Sequence, residues 1–189
     1  MGEFIIEDGV LKAYTGRAEI VEVPKEVHTI GEGAFKACVS LRKVVLPFGL
    51  QCIQDHAFKG CRLLEEVRIP NGVSKVGNYA FHRCHALREA VLSPLVEELG
   101  DCVFLYCDSL TRVRIPGVRR FGRQVFVNDV LLKEIEISKE LDEESICDVF
   151  TGCGNIRRIC FADGECFEIA NAVEAVAGEH ILPSLVRQI

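Results

Sequence analysis

The sequence predicts an α/β repeat solenoid of about six stacked units of 23 residues, and three regularities predict it. A phenylalanine preceded by Ala or Val recurs at Phe35, Phe58, Phe81, Phe104 and Phe126, with a degenerate copy at Phe150, in steps of 23, 23, 23, 22 and 24 residues. Three apolar columns keep the same register, reading Leu41, Val44, Leu46 in one unit and Leu64, Val67, Ile69 in the next. Proline closes the unit at Pro47, Pro70 and Pro116, and one residue late at Pro94.

Residues 1–29 read as a hairpin cap and a partial repeat. Asp8-Gly9 lies between the apolar runs Phe4-Ile5-Ile6 and Val10-Leu11, the pattern of a tight β-hairpin, and Val21, Val23 and Pro24 follow in the register of the later strands. Residues 30–161 hold the repeats. Each opens with a segment such as Ile30-Gly31-Glu32-Gly33-Ala34-Phe35-Lys36-Ala37-Cys38. It is too short for a long helix, so a turn plus about one helical turn is expected, with the Phe tucked inward. Gly31, Gly77, Gly100 and Gly122 occupy the turn position, where a positive φ suits glycine, and Gln54 takes that place once. In Leu41-Arg42-Lys43-Val44-Val45-Leu46-Pro47, Val44 and Leu46 alternate with the strand period, and Pro47, lacking an N–H, ends the rung. A single unit cannot bury its own apolar face, whereas units stacked at the parallel-strand spacing of about 4.8 Å share one core. Residues 162–189 are expected to close the far end, with Phe167 to Ala177 as a helical cap ahead of Gly178.

Half of the ten cysteines, Cys38, Cys61, Cys84, Cys107 and Cys153, stand three residues after a repeat Phe, and Asp129 takes that place once. Residues at one repeat position point the same way, so this column is read as core, where a free thiol behaves as a small apolar group. Cys52, Cys102, Cys147, Cys160 and Cys166 lie off the column, and no C-x-x-C pair marks a zinc site or a disulfide framework.

With its strand, the segment from Ile30 to Cys38, like Val76-Gly77-Asn78-Tyr79-Ala80-Phe81-His82-Arg83-Cys84, resembles the BspA-type leucine-rich repeat, whose unit has the form I-G-x-x-A-F-x-x-C-x-x-L-x-x-[VI]-x-[IL]-P. The resemblance runs from Ile30 to about Ile137 and weakens through Phe161; Gln54, Asp129, Ser93 and Ser138 depart from it. It implies a right-handed leucine-rich-repeat coil with a parallel β-sheet on one face. It also implies roles in adhesion or protein binding without a shared catalytic site, and many such relatives are exported.

A net charge of −6 leaves no global positive field to neutralise phosphates, so nucleic acid is not an expected partner. No membrane span is expected, since Glu168, Glu174 and Glu179 interrupt the most apolar tail. Acidic residues stand near Met1 where a secretory signal needs basic ones, so a cytoplasmic location is expected of the chain as it stands, and a secreted or cell-surface one if a signal was removed.

No catalytic, cofactor or metal site is expected. His82, Cys84 and His85 form a tight cluster, but Cys84 is the inward column residue, and the two histidines fall where other units carry Lys59 and Arg62, read as surface positions. His28, His56 and His180 are isolated from any nucleophile motif. The acidic run Glu140, Asp142, Glu143, Glu144 lacks calcium-loop spacing and reads as surface.

More informative are the outward strand positions, which form three rows. One row is Arg42, Glu65, Arg88, Thr111, Lys133, Arg157. The next is Lys43, Glu66, Glu89, Arg112, Glu134, Arg158, and the third is Val45, Arg68, Val91, Arg114, Glu136, Cys160. Alternating signs can be a plain charge ladder, or a binding surface of the kind solenoids offer to partner proteins. Arg68, Arg112, Arg114 and Glu136 lie near the middle, and the flanking Val45 and Val91 are expected to leave Arg68 and Arg114 uncompensated, the look of a hot spot. The expected function is a non-catalytic protein-binding module with a charged strand face; the alternative is a structural or adhesive spacer of a cell-surface assembly.

Overall fold

From Thr29 to Ile137 each coil contributes two extended segments. In the computed structural model, which describes residues 3–142 and 149–168, they stack into two sheets. The smaller sheet starts with the hairpin β1 (Phe4–Glu7) and β2 (Val10–Tyr14), whose turn residues Asp8 and Gly9 have φ of 48° and 70°. It continues through two-residue rungs, β4 (Thr29–Ile30), β6 (Cys52–Ile53), β8 (Lys75–Val76), β10 (Glu98–Leu99) and β12 (Arg120–Phe121), all parallel. The larger sheet runs β3 (Ile20–Glu22), β5 (Lys43–Val45), β7 (Glu66–Arg68), β9 (Glu89–Val91), β11 (Arg112–Ile115), β13 (Glu134–Ile137) and β14 (Arg158–Phe161), with β15 (Cys166–Glu168) antiparallel at its end. The expected sheet on one face is therefore one of two. The second ladder adds inward columns, Ile30, Ile53, Val76, Leu99 on its rungs and Leu50, Val73, Val96, Val118 just before them.

The expected helical turn is absent: the described residues contain no helix, which removes the α from the expected α/β class. Alternate amides of the Phe segment are claimed by the neighbouring coil. Gly33, Phe35 and Ala37 donate to the carbonyls of Asp55, Ala57 and Lys59 at 2.8–3.0 Å, while Ala34, Lys36 and Cys38 donate three residues back within their own coil. A helix would need every amide for itself. Two left-handed residues per coil make this alternation possible, two before and two after the Phe, as in Tyr79 and Arg83 (φ 56° and 61°) or Cys102 and Tyr106 (φ 56° and 62°).

The glycine column serves a different purpose from the expected positive φ. Gly31, Gly77, Gly100 and Gly122 do not have positive φ; a Cβ on Gly100 would sit 2.7 Å from Asn78 N and 2.8 Å from the Gly77 carbonyl carbon. The next position crowds the column. Asp55, Asn78 and Asp101 each accept, through a side-chain oxygen, the amide one coil on, from Asn78, Asp101 and Arg123 at 2.8–2.9 Å. Gln54, in the glycine column itself, reaches the other way, its Oε1 accepting the Glu32 amide of the preceding coil at 3.0 Å.

Within this frame Phe35, Phe58, Phe81, Phe104 and Phe126 are fully buried and stacked with centroids 5.0–5.5 Å apart and planes within 7°. Phe150 extends the stack at 5.2 Å, and Tyr14 starts it. Where serine replaces proline, its hydroxyl closes the turn instead: Ser93 Oγ donates to Asn71 O and accepts the Leu95 amide, and Ser138 Oγ accepts that of Glu140. Of the expected helical cap, Phe167 and Glu168 are strand, held against β14; the rest lies outside the described residues.

Phe81→Ala is expected to cost about 3 to 5 kcal/mol in urea melts, since it opens a gap within a continuous ring stack; a loss below about 1 kcal/mol would contradict the stack. Gly100→Ala is expected to cost about 1 to 3 kcal/mol by overpacking against backbone. Gly49→Ala, whose Cβ would meet nothing within 4 Å, serves as the neutral control.

Candidate interaction face

The outward positions of the larger sheet form the three expected rows, except that Cys160, expected at the end of the third, is buried. In one, Glu65, Arg88, Thr111, Lys133 and Arg157 each donate their amide to the preceding member, beginning at Arg42. In the others Arg112 lies opposite Glu134, and Arg114 between Val91 and Glu136. Arg68, Arg112 and Arg114 are exposed and Glu136 is half-buried.

Their charges are not uncompensated. Arg114 grips Glu136 through Nε at 2.7 Å and Nη2 at 3.4 Å, Arg112 meets Glu134 at 3.0 Å, and Arg68 reaches diagonally to Glu89 at 3.4 Å. The valines separate Arg68 and Arg114 only within their row, and long side chains cross between rows. Glu136 also raises the pKa of the Arg114 guanidinium by accepting its hydrogen bonds. The first row is paired only at its start. Glu65 is taken by Arg42 at 2.8 Å, and among the described residues no carboxylate lies within ion-pair distance of Arg88, Lys133 or Arg157. Thr111 stands where alternation calls for an acid, its hydroxyl donating to Arg88 O at 3.0 Å. A solvent-open groove of about 430 Å³ is lined there by Arg88, Glu89, Thr111, Arg112, Lys133 and Glu134. The signal was in the sequence: the last four members of that row include three cations and no acid.

The remaining titratable groups are accounted for by packing. Cys61, Cys84 and Cys107 are fully buried and Cys153 nearly so. Each thiol donates to the carbonyl of the Phe one coil back, as Cys61 to Phe35 at 3.0 Å and Cys153 to Phe126 at 2.9 Å. Burial pushes the Cys153 thiol up to about 12. Cys38, which has no such coil before it, is half-buried. Asp129 breaks the column: it is fully buried, Oδ1 accepts the Cys107 amide at 2.9 Å, Oδ2 has no partner, and burial raises its pKa to about 9.

His82 is not the surface residue expected. It is 7% exposed, set edge-on between Tyr79 and Tyr106, and burial lowers its pKa to about 4, helped by Lys59 and Arg83. His85 instead meets Asp108 at 2.6 Å on the surface. Contrary to the expectation of no disulfide framework, Cys160 and Cys166, directly opposite on β14 and β15 with Cα atoms 4.1 Å apart, form a disulfide. Among the described residues no group of three or more His, Cys, Asp or Glu is placed to hold a metal ion, and no helix there is long and apolar enough to cross a membrane.

The profile of the BspA type leucine-rich repeat region matches residues 6–133 in six copies. A leucine-rich repeat protein of T. pallidum, 28% identical, superposes with a TM-score of 0.73 over 80% of this chain and 73% of its own. One from Eubacterium ventriosum, 23% identical, gives 0.67 over 71% of this chain and 37% of its own, a likeness of fold. No curated protein matches.

The two buried groups set opposite slopes of stability against pH. Asp129 stays protonated when folded to about 9 but ionises near 3.8 when unfolded, so its contribution falls as pH rises through that window. His82 stays neutral when folded to about 4 but charges near 6.5 when unfolded, so its contribution falls as pH drops from 6.5. Asp129→Cys, which restores the thiol donor, is expected to raise the thermal midpoint at pH 8 and flatten the alkaline decline. Its midpoint at pH 4 is expected to stay near that of wild type, and melts across pH 4 to 9 check both.

Proposed function

This chain belongs to the BspA-type leucine-rich repeat family, and on that premise we propose that it is a non-catalytic protein-binding module presenting the outward face of its larger sheet to a partner protein. One observation carries this reading: seven parallel strands in register hold rows of long side chains of both signs over a stacked core. A platform ordered before binding lowers the cost of association, and an extended repeat surface suits a large partner. In this reading Arg68, Arg112, Arg114 and Glu136 form the centre of the site. Because each of the three arginines already holds a carboxylate, the complementary partner surface is one of mixed charge, recognised through pattern more than net attraction. We take the coil to be right-handed, the hand that parallel crossovers favour.

A second reading, a structural or adhesive spacer at the cell surface, is favoured by the Cys160–Cys166 disulfide, because such bonds persist in oxidising compartments. The two readings share the face and differ in where it is displayed.

To test the face, the intact module captures a partner from its native lysate, and the partner's affinity is then measured for wild type and for Arg68→Gln/Arg114→Gln. The double variant is expected to bind at least tenfold more weakly, about 1.4 kcal/mol. Its thermal midpoint should hardly move, since exposed pairs contribute about 0 to 1 kcal/mol each. Equal affinity would move the site off this face.

A further inference from the structure

We propose that Arg88, Lys133 and Arg157 form a docking line for an extended acidic segment of the partner protein, laid across the strands along the groove beside Thr111; this rests on the strand-face reading above. On this face Arg42, Lys43, Arg68, Arg112, Arg114 and Arg158 each hold a carboxylate. Arg88, Lys133 and Arg157 hold none among the described residues, although the chain has 28 acidic residues against 22 basic ones. Lys133 and Arg157 are neighbours on adjacent strands, a like-charge contact that costs stability until an anion separates them.

Spacing favours a peptide. Adjacent parallel strands lie about 4.8 Å apart, so Arg88 to Arg157, three strands on, spans roughly 14 Å. Along an extended chain, residues i, i+2 and i+4 point to one side and span about 13 to 14 Å, which sets the two outer carboxylates against Arg88 and Arg157 and leaves the middle one about 3 Å along the row from Lys133, within reach of its long side chain. A uniform polyanion fits less well. Glu89 and Glu134 line the same groove and would repel a continuous run of phosphates or sulfates. A peptide, by contrast, can put acidic side chains on one row and neutral or basic ones on the other.

The probe is a fluorescent peptide of alternating Glu and Ser, compared with its Gln-for-Glu analogue and with a heparin oligosaccharide, titrated with the full chain by polarisation. The Glu peptide is expected to bind at least tenfold more tightly than the Gln peptide and to weaken with salt. Arg88→Ser/Lys133→Ser should cost at least tenfold with a melting midpoint no lower than that of wild type, while Lys12→Gln/Lys75→Gln, at exposed cations of the smaller sheet, should leave peptide affinity within about twofold. Equal affinity for the Glu and Gln peptides, no effect of the Arg88/Lys133 change, or tighter binding of heparin through these residues would overturn the proposal. Against a captured partner the two ideas separate. Loss with the Arg68/Arg114 pair but not with Arg88/Lys133 sinks this docking line and spares the face, and indifference to both pairs sinks the face itself.

Discussion

The amide-to-carbonyl bonds that join each coil to the next set the dimension on which the rest of the structure depends. They run through both ladders and through the Phe turn, where Phe35, Phe58 and Phe81 donate to Ala57, Ala80 and Val103. A backbone repeat near 4.8 Å leaves room for one aromatic ring per coil, hence centroids 5.0–5.5 Å apart. It leaves room for a thiol against the previous carbonyl, and none for a Cβ at Gly100. Each column is a separate consequence of one translation, so residue types recur because the environment recurs.

This explains which features were legible. The Phe, Cys and Leu columns declared the register because a buried position tolerates few residue types, and the strand register follows from it without slippage. The second ladder was hidden because rungs of two residues, such as Cys52–Ile53, carry no alternation to detect. The Phe segment was misread as helical because apolar residues three apart, such as Phe81 and Cys84, suit a helical face equally well. Only the amide partners one coil away reveal the difference. The glycine column was identified correctly as special but for the wrong reason, since clearance and positive φ leave the same mark on a sequence.

At the surface the legible part was the set of rows, and the illegible part was their pairing. Arg68 with Glu89 is a diagonal between rows, fixed by side-chain reach. His82 was placed outside by analogy with Lys59 in the preceding unit, yet the aromatic neighbours Tyr79 and Tyr106 enclose it. A position's burial is inherited from the repeat only while its neighbours also repeat, and the tyrosines do not.

The inner and outer positions of the coil thus obey different rules. Inside, a departure from the column is a local fault with a visible cost: Asp129 leaves one buried oxygen without a partner and holds its proton into the alkaline range. Outside, the coil imposes spacing but not identity, and a charge ladder would satisfy the fold with acids and bases in alternation. Thr111 interrupts that alternation, and the cations on either side of it stay unpaired among the described residues. Nothing in the core requires a threonine there, since its hydroxyl reaches only a strand carbonyl at the surface. The core supplies no reason for that departure, which is why the proposed acidic segment is assigned to the row of Arg88, Lys133 and Arg157 and not to the better-paired arginines beside it.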